Sequence, residues 1–163
     1  MNRIHIVGRK NHGKTTLIVE LLEEFRRRGV SVGSVKHSAH RHELDPPGKD
    51  SYRHRAAGAN PAAIVSRNLV GVFVRRDETA DCYALIAPLF SGCKLVLVEG
   101  DIDCRAPKIE VWRACRGTPC LATERDDILA VVSDDSPPVS LPVWPRGDIA
   151  HLADCLLATL GLS

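Results

Sequence analysis

Gly8-Arg9-Lys10-Asn11-His12-Gly13-Lys14-Thr15 is the stretch on which the fold turns. It meets the pattern GxxxxGK[ST] at every defined position, and that pattern carries mechanical meaning only between a strand and a helix. Both flanks comply. Arg3 to Val7 alternates and then runs apolar into Gly8, while from Thr15 to Arg28 the residues Leu17, Ile18, Leu21, Leu22 and Phe25 recur with the helical period. In such a loop successive backbone N–H groups wrap phosphate oxygens and Gly8 and Gly13 permit the tight path. The helix N-terminus adds partial positive charge. The candidate nucleotide-binding residues are therefore Gly8, Asn11, His12, Gly13, Lys14, Thr15 and Thr16. Lys14 reaches the β- and γ-phosphates, Thr15 offers its hydroxyl to Mg²⁺, and Thr16 serves the α-phosphate side.

Outward from the loop, Gly29 stops the helix and Val30 to Lys36 makes a second strand, which completes a βαβ unit with a parallel pair. His37 to Lys49 carries prolines, histidines and no apolar period, so it reads as an exposed loop. Asp50 to Gly58 fits a short helix. Ala62 to Ser66 and Leu69 to Arg75 read as a hairpin that adds an antiparallel element to the sheet. Asp77 to Ser91 fits a helix with Cys82, Leu85, Ile86 and Leu89 inward. Lys94 to Val98 is a buried-type strand ending at Glu99-Gly100, and Ile109 to Trp112 and Ile128 to Val132 are further strands. Ile149 to Leu160 closes the chain as a helix after the proline-rich Pro137 to Pro145. The fold class is α/β, a P-loop NTPase fold whose mainly parallel sheet is flanked by helices, with an added antiparallel hairpin. A length of 163 residues fits a single nucleotide-binding domain over residues 1–163.

Composition narrows the function classes. Hydrophobic residues at 44% and charged residues at 26% describe a globular chain. A formal charge of +2 gives no global field for nucleic acid or an anionic membrane, so neither is an expected partner and phosphate recognition must be local. The only apolar run near the N-terminus, broken by His5, is too short for a signal-peptide core or a membrane span, which predicts a cytoplasmic protein. Cys82, Cys93, Cys104, Cys115, Cys120 and Cys155 form no CxxC pair and read as reduced packing residues.

Mg²⁺ needs a second anchor, and in P-loop proteins that is an acid at the end of a buried strand. Glu99 in LVLVEG is the candidate metal ligand and catalytic acid; one methylene longer than aspartate, it favours a hold through water. Asp45 and Asp50, in the loop after the second strand, can order a metal-bound water or position an attacking one, Asp45 as a further metal ligand. Lys36, Lys49, Arg53 and Arg55 can meet phosphate or an anionic pterin, or form a solvated charged face. His37, His40, His42 and His54 invite a metal reading, yet their spacing matches no recognised ligand pattern and suits solvated or substrate-contacting imidazoles better. The guanine-reading NKxD motif is absent. Asp134, after LAVVS, occupies a comparable strand end and could pair guanine's N–H groups, or be a plain turn residue.

VGRKNHGKTTLI (7–18), VKHSAHRHELDPPGKDSYRHRAAGA (35–59), LVLVEG (95–100) with PKIEVWR (107–113), and LAVVSD (129–134) together resemble the molybdopterin-guanine dinucleotide biosynthesis adaptor (MobB) family. The block Asp45 to Ala59 is far more specific than the P-loop. The resemblance implies a weakly hydrolysing homodimer that takes GTP and Mg²⁺ and assists the molybdenum cofactor guanylyltransferase. Nucleotidyl transfer belongs to that partner, and molybdopterin or its guanine dinucleotide is a further ligand. Gly13, Lys14, Thr15, Thr16, Asp45, Lys49, Asp50 and Glu99 match position by position. Two departures stand out: Arg9 to His12 replace the small residues frequent in the family, and DIDCRA follows Gly100. Two rivals come from other classes. One is a P-loop kinase or transferase acting on a small molecule, and the other a nickel-delivering GTPase using His37, His40 and His42.

Overall fold

The computed structural model describes residues 1–77 and 80–162. In chain order its elements are β1 (Arg3–Val7), α1 (Lys14–Arg27), β2 (Val32–Lys36), α2 (Asp50–Ala56), β3 (Ala62–Val65), β4 (Val70–Phe73), α3 (Cys82–Ile86), β5 (Leu95–Glu99), β6 (Lys108–Val111), β7 (Ala130–Val132), β8 (Val143–Trp144) and α4 (Ile149–Thr159). Six strands form one parallel sheet in the order β2-β5-β1-β6-β7-β8. Residues 1–39 and 87–162 make one compact unit, and residues 40–86 a second.

Register decides what meets at the carboxyl edge of the sheet. Ile6 stands beside both Glu99 and Ile109, and Lys36 beside Glu99. The loop after β1, the acid ending β5 and the lysine ending β2 therefore emerge side by side, at the edge where open parallel sheets bind ligands. One face of the sheet carries Ile4, Ile6, Leu95, Leu97, Ile109, Val111, Ala130 and Val132. Onto it pack Leu17, Ile18, Leu21 and Phe25 of α1 with Leu152, Ala153 and Leu156 of α4. Burial on both faces explains the near-continuous apolar reading of β1 and β5. α1 ends as its sequence dictates: Gly29 takes φ 70°, its N–H donates to Arg26 O at 3.0 Å, and Val30 N–H reaches Phe25 O at 2.9 Å.

The opposite face is closed partly by charge. Glu110 is fully buried and accepts hydrogen bonds from Leu121 N and Ala122 N, both at 2.8 Å, and from the Cys120 thiol at 2.9 Å. Burial, then the bond to Glu110, pushes the Cys120 thiol up to about 12. Lys108, also buried, donates to Cys104 O at 2.8 Å and Asp127 at 2.7 Å.

Three expectations change. The hairpin β3–β4 pairs antiparallel in a two-stranded sheet of its own and does not extend the large sheet. The helix expected over 77–91 is α3 followed by a 3-10 turn at Ala87–Phe90; Pro88 lacks the N–H an α-helix needs and disfavours helical backbone at Ala87. Residues 78 and 79 of that stretch lie outside the described residues. Tyr83 is its buried side chain, while Leu85 and Leu89 are exposed. Finally, β8 arises inside the proline-rich segment, between Pro142 and Pro145. No described helix is long and apolar enough to cross a membrane.

Candidate functional site

Gly8 and Gly13 hold backbone that other residues cannot. Gly8 has φ 140°, and a Cβ there would lie 2.5 Å from the Val111 carbonyl oxygen; Gly13 has φ 96° and caps α1. Asn11, at φ 67°, is the residue type that tolerates the left-handed region. No side chain caps α1 and no acid lies in its first turn, so its orphan N–H groups remain available to an anion. Lys14 Nζ donates to Gly8 O at 2.8 Å and Arg9 O at 2.9 Å, which folds the ammonium over the loop. Burial lowers its pKa, Glu99 counteracts this, and Lys36 adds to it.

Thr15 Oγ1 donates to Glu99 Oε1 at 2.9 Å, and Lys36 Nζ lies 3.8 Å from the same oxygen. A hydroxyl and a carboxylate are the hard oxygen donors that Mg²⁺ selects. These two groups line a cavity of 520 Å³ together with Asn11, Gly13, Lys14 and Thr16. Four further residues line it: Lys10, Lys36, Arg113 and Arg116. Five cations thus face one carboxylate, the balance of a site for a polyanion.

Two residues of the loop interior serve another purpose. The His12 ring is fully buried; its Nδ1 accepts the Arg113 backbone N–H at 3.0 Å, so Nε2 carries the proton and donates to Thr118 Oγ1 at 2.9 Å. Burial lowers the His12 pKa against the pull of Glu110, the same direction as a ring whose Nδ1 accepts a hydrogen bond. Arg9 donates to Pro119 O at 3.1 Å and pairs with Glu124 at 2.9 Å. Arg9 and His12 thereby tether the phosphate loop to residues 113–124. Any contact of His12 with phosphate is left to its backbone.

Asp134 belongs to the same unit as the phosphate loop but does not line that cavity. Asp134 is exposed, and its carboxylate accepts Gly147 N–H at 3.0 Å, bracing a turn. Asp45, Lys49 and Asp50 belong to the second unit. There Asp45 is buried, accepts the Ser51 hydroxyl at 3.0 Å and lies 3.5 Å from Arg55 Nε; Asp50 is exposed beside Arg53, and exposed Lys49 precedes α2. His40 and His42 meet edge to face with ring centres 5.8 Å apart. Among the described residues the three-ligand grouping capable of holding a metal is His5, Asp101 and Cys104, which includes none of the loop histidines. All six cysteines are free. Sequence reasoning missed Arg113 and Arg116; the available signal was their place just after a strand flanking the phosphate loop.

The family model described as molybdopterin guanine dinucleotide synthesis protein B matches residues 3–134. A molybdopterin-guanine dinucleotide biosynthesis adapter protein of Escherichia coli K12 is 32% identical over 147 residues, covering 87% of this chain and 83% of that one. A probable adapter protein of the same description from Bacillus subtilis 168 is 33% identical over 111 residues, 66% of this chain and 63% of that one. The crystal structure of a MobB protein homologue from Bacillus stearothermophilus superposes with a TM-score of 0.69 at 28% identity, covering all of both chains.

Proposed function

The chain belongs to the molybdopterin guanine dinucleotide synthesis protein B family, and on that premise we propose that it is a GTP-binding adaptor in the formation of molybdopterin guanine dinucleotide. One observation carries the nucleotide part: the Thr15 hydroxyl and Glu99 carboxylate meet at 2.9 Å in the same cavity as Lys14 and the uncapped N-terminus of α1. That donor set fits Mg²⁺, which Thr15 and Glu99 would hold and which would supply charge neutralisation to a bound phosphate chain. The loop's N–H groups and Lys14 take the phosphate chain. Asp134 reads the guanine edge in this proposal, and the segment Asp45 to Asp50 orders on GTP and relaxes after slow hydrolysis, reporting nucleotide state to a partner.

The partner is the molybdenum cofactor guanylyltransferase, in the cytoplasm, with molybdopterin or its guanine dinucleotide as the shared small molecule. We further propose a homodimer through β3–β4. Ile64, Val65, Leu69, Val70 and Val72 expose apolar side chains there, and a cluster of this kind on a two-stranded sheet with free edges supports a protein partner.

Calorimetric titration of wild type and Lys14→Ala with GTP, ATP and molybdopterin tests the reading. GTP should bind the wild type in preference to ATP, and Lys14→Ala should abolish both binding and hydrolysis. Unchanged GTP binding and turnover in Lys14→Ala would defeat it.

A further inference from the structure

We propose that Arg113 is a phosphate-contacting residue of the nucleotide cavity and that His12 is its positioning residue. The proposal rests on the nucleotide-binding reading and adds to it a cationic contact from outside the phosphate loop.

Geometry places the guanidinium against the loop. A Cβ built on Gly13 would lie 2.8 Å from Arg113 Nη2 and 3.1 Å from Cζ, so the group rests against the glycine that opens α1, where the helix N–H groups are uncapped. Charge points the same way. Other arginines of the same unit are neutralised, Arg9 by Glu124 and Arg146 by Glu20. Among the described residues no carboxylate pairs with Arg113 or Arg116, although both line the cavity. A half-buried guanidinium beside Lys14, left without a counter-ion, is poised for an external anion. Its planar fork matches two phosphate oxygens at once.

The segment bearing it is fixed in advance. His12 Nδ1 accepts the Arg113 N–H, His12 Nε2 holds Thr118, the Trp112 indole donates to Thr118 O at 3.0 Å, and the Asp135 carboxylate accepts Ala114 N–H at 2.8 Å. At the other end of the loop Gly8 lies so close to Val111, two residues before Arg113, that a Cβ there would stand 2.5 Å from its carbonyl oxygen. With the backbone that carries Arg113 fixed in advance, only its side chain has to be ordered on meeting an anion, which lowers that part of the cost of binding. His12 links the two walls of the cavity through its neutral ring, so phosphate bound by the loop and phosphate bound by Arg113 are read by one rigid body.

The test uses GTP and inorganic tripolyphosphate, each with Mg²⁺, on the full chain, with a thermal melt of every variant. Arg113→Ala should weaken both ligands roughly ten- to a hundredfold, the loss expected for a charged hydrogen bond, with the melting temperature unchanged. Arg113→Lys should recover only part, because a point charge lacks the fork. His12→Gln should weaken tripolyphosphate binding in the wild-type background and have no effect in Arg113→Ala, as coupled residues do. Tripolyphosphate binding that survives Arg113→Ala intact overturns the phosphate contact, even if GTP binding falls. Additive losses from Arg113 and His12 overturn the positioning role. A wild type that binds neither ligand overturns the nucleotide-binding reading itself, and with it this inference.

Discussion

Gly8→Ala should be among the most damaging single-methyl additions in the protein. The new Cβ would sit 2.5 Å from the Val111 carbonyl oxygen, against an ordinary contact that begins at 3.4 Å, so about 0.9 Å must be found. The obstacle is backbone that cannot turn aside: Val111 is locked in β6 opposite Val132, and β6 is itself paired to β1 through Ile6 and Val7. Forcing the strands apart costs about 1–3 kcal/mol by the measure of overpacked cores. Holding a side chain at φ 140° adds about 1–3 kcal/mol of strain. Together, about 2–6 kcal/mol corresponds to a fall in melting temperature on the order of 5–20 °C at this chain length. Gly29→Ala is the control. It shares the positive φ, at 70°, but has nothing within 4 Å of the new Cβ, so only the left-handed penalty of about 1–2 kcal/mol applies. Melting by circular dichroism, with both variants in parallel, isolates the carbonyl contact. Equal melting temperatures for the two variants would refute the reasoning.

Glu110→Gln keeps the shape of the buried side chain but turns one acceptor into a donor facing an N–H, at a cost of about 1–3 kcal/mol in urea unfolding; an unchanged midpoint would show that the three bonds to residues 120–122 contribute nothing. Burial holds the pKa of His5 and His12 below the ordinary 6.5, so the unfolded chain takes up protons first. Stability should be full above about pH 6.5 and decline as pH falls through that value toward the depressed folded pKa values, with His12→Gln flattening part of the decline; a melting temperature that rises on acidification would contradict this. Thr15→Ala should weaken GTP binding in the presence of Mg²⁺ and change it little in EDTA, an interaction that calorimetry reads directly. On the proposed β3–β4 dimer, Val65→Lys on the exposed hairpin should shift sedimentation toward monomer while the melting curve stays cooperative, and a wild type that sediments as a monomer would refute the dimer.

The phosphate loop was legible because its conformation is dictated locally, by two glycines at fixed spacing between an apolar strand and an apolar-periodic helix. Glu99 was legible as a strand end, and parallel register does the rest by carrying it to Thr15. Other features depend on which strands become neighbours, and no short stretch encodes that. Arg113 faces the loop only because β6 lies beside β1. β8 is two residues long between prolines, below the length at which periodicity speaks. His12 occupies a phosphate-loop position, yet its ring is spent on Arg113 and Thr118, a use that depends on a partner segment a hundred residues away. Glu110 and Lys108 look like solvent-facing charges in a strand and are instead buried, their partners supplied by distant turns.

The central place of β1 has a consequence for how the protein is made. Its hydrogen-bonded neighbours are β5 and β6, some ninety to a hundred residues further along the chain. At about 5–20 residues per second, a ribosome needs roughly 5–20 s to supply them after β1 has emerged. Throughout that interval the phosphate loop has its helix but no walls. Pairing strands so distant in sequence incurs its loop-closure entropy before any contact rewards it, which makes this a slow-folding sheet. Nucleotide has no cradle to enter until the chain has passed Arg116, so ligand binding can reward only the last stage of folding, and the apolar strands made first must wait for partners made later.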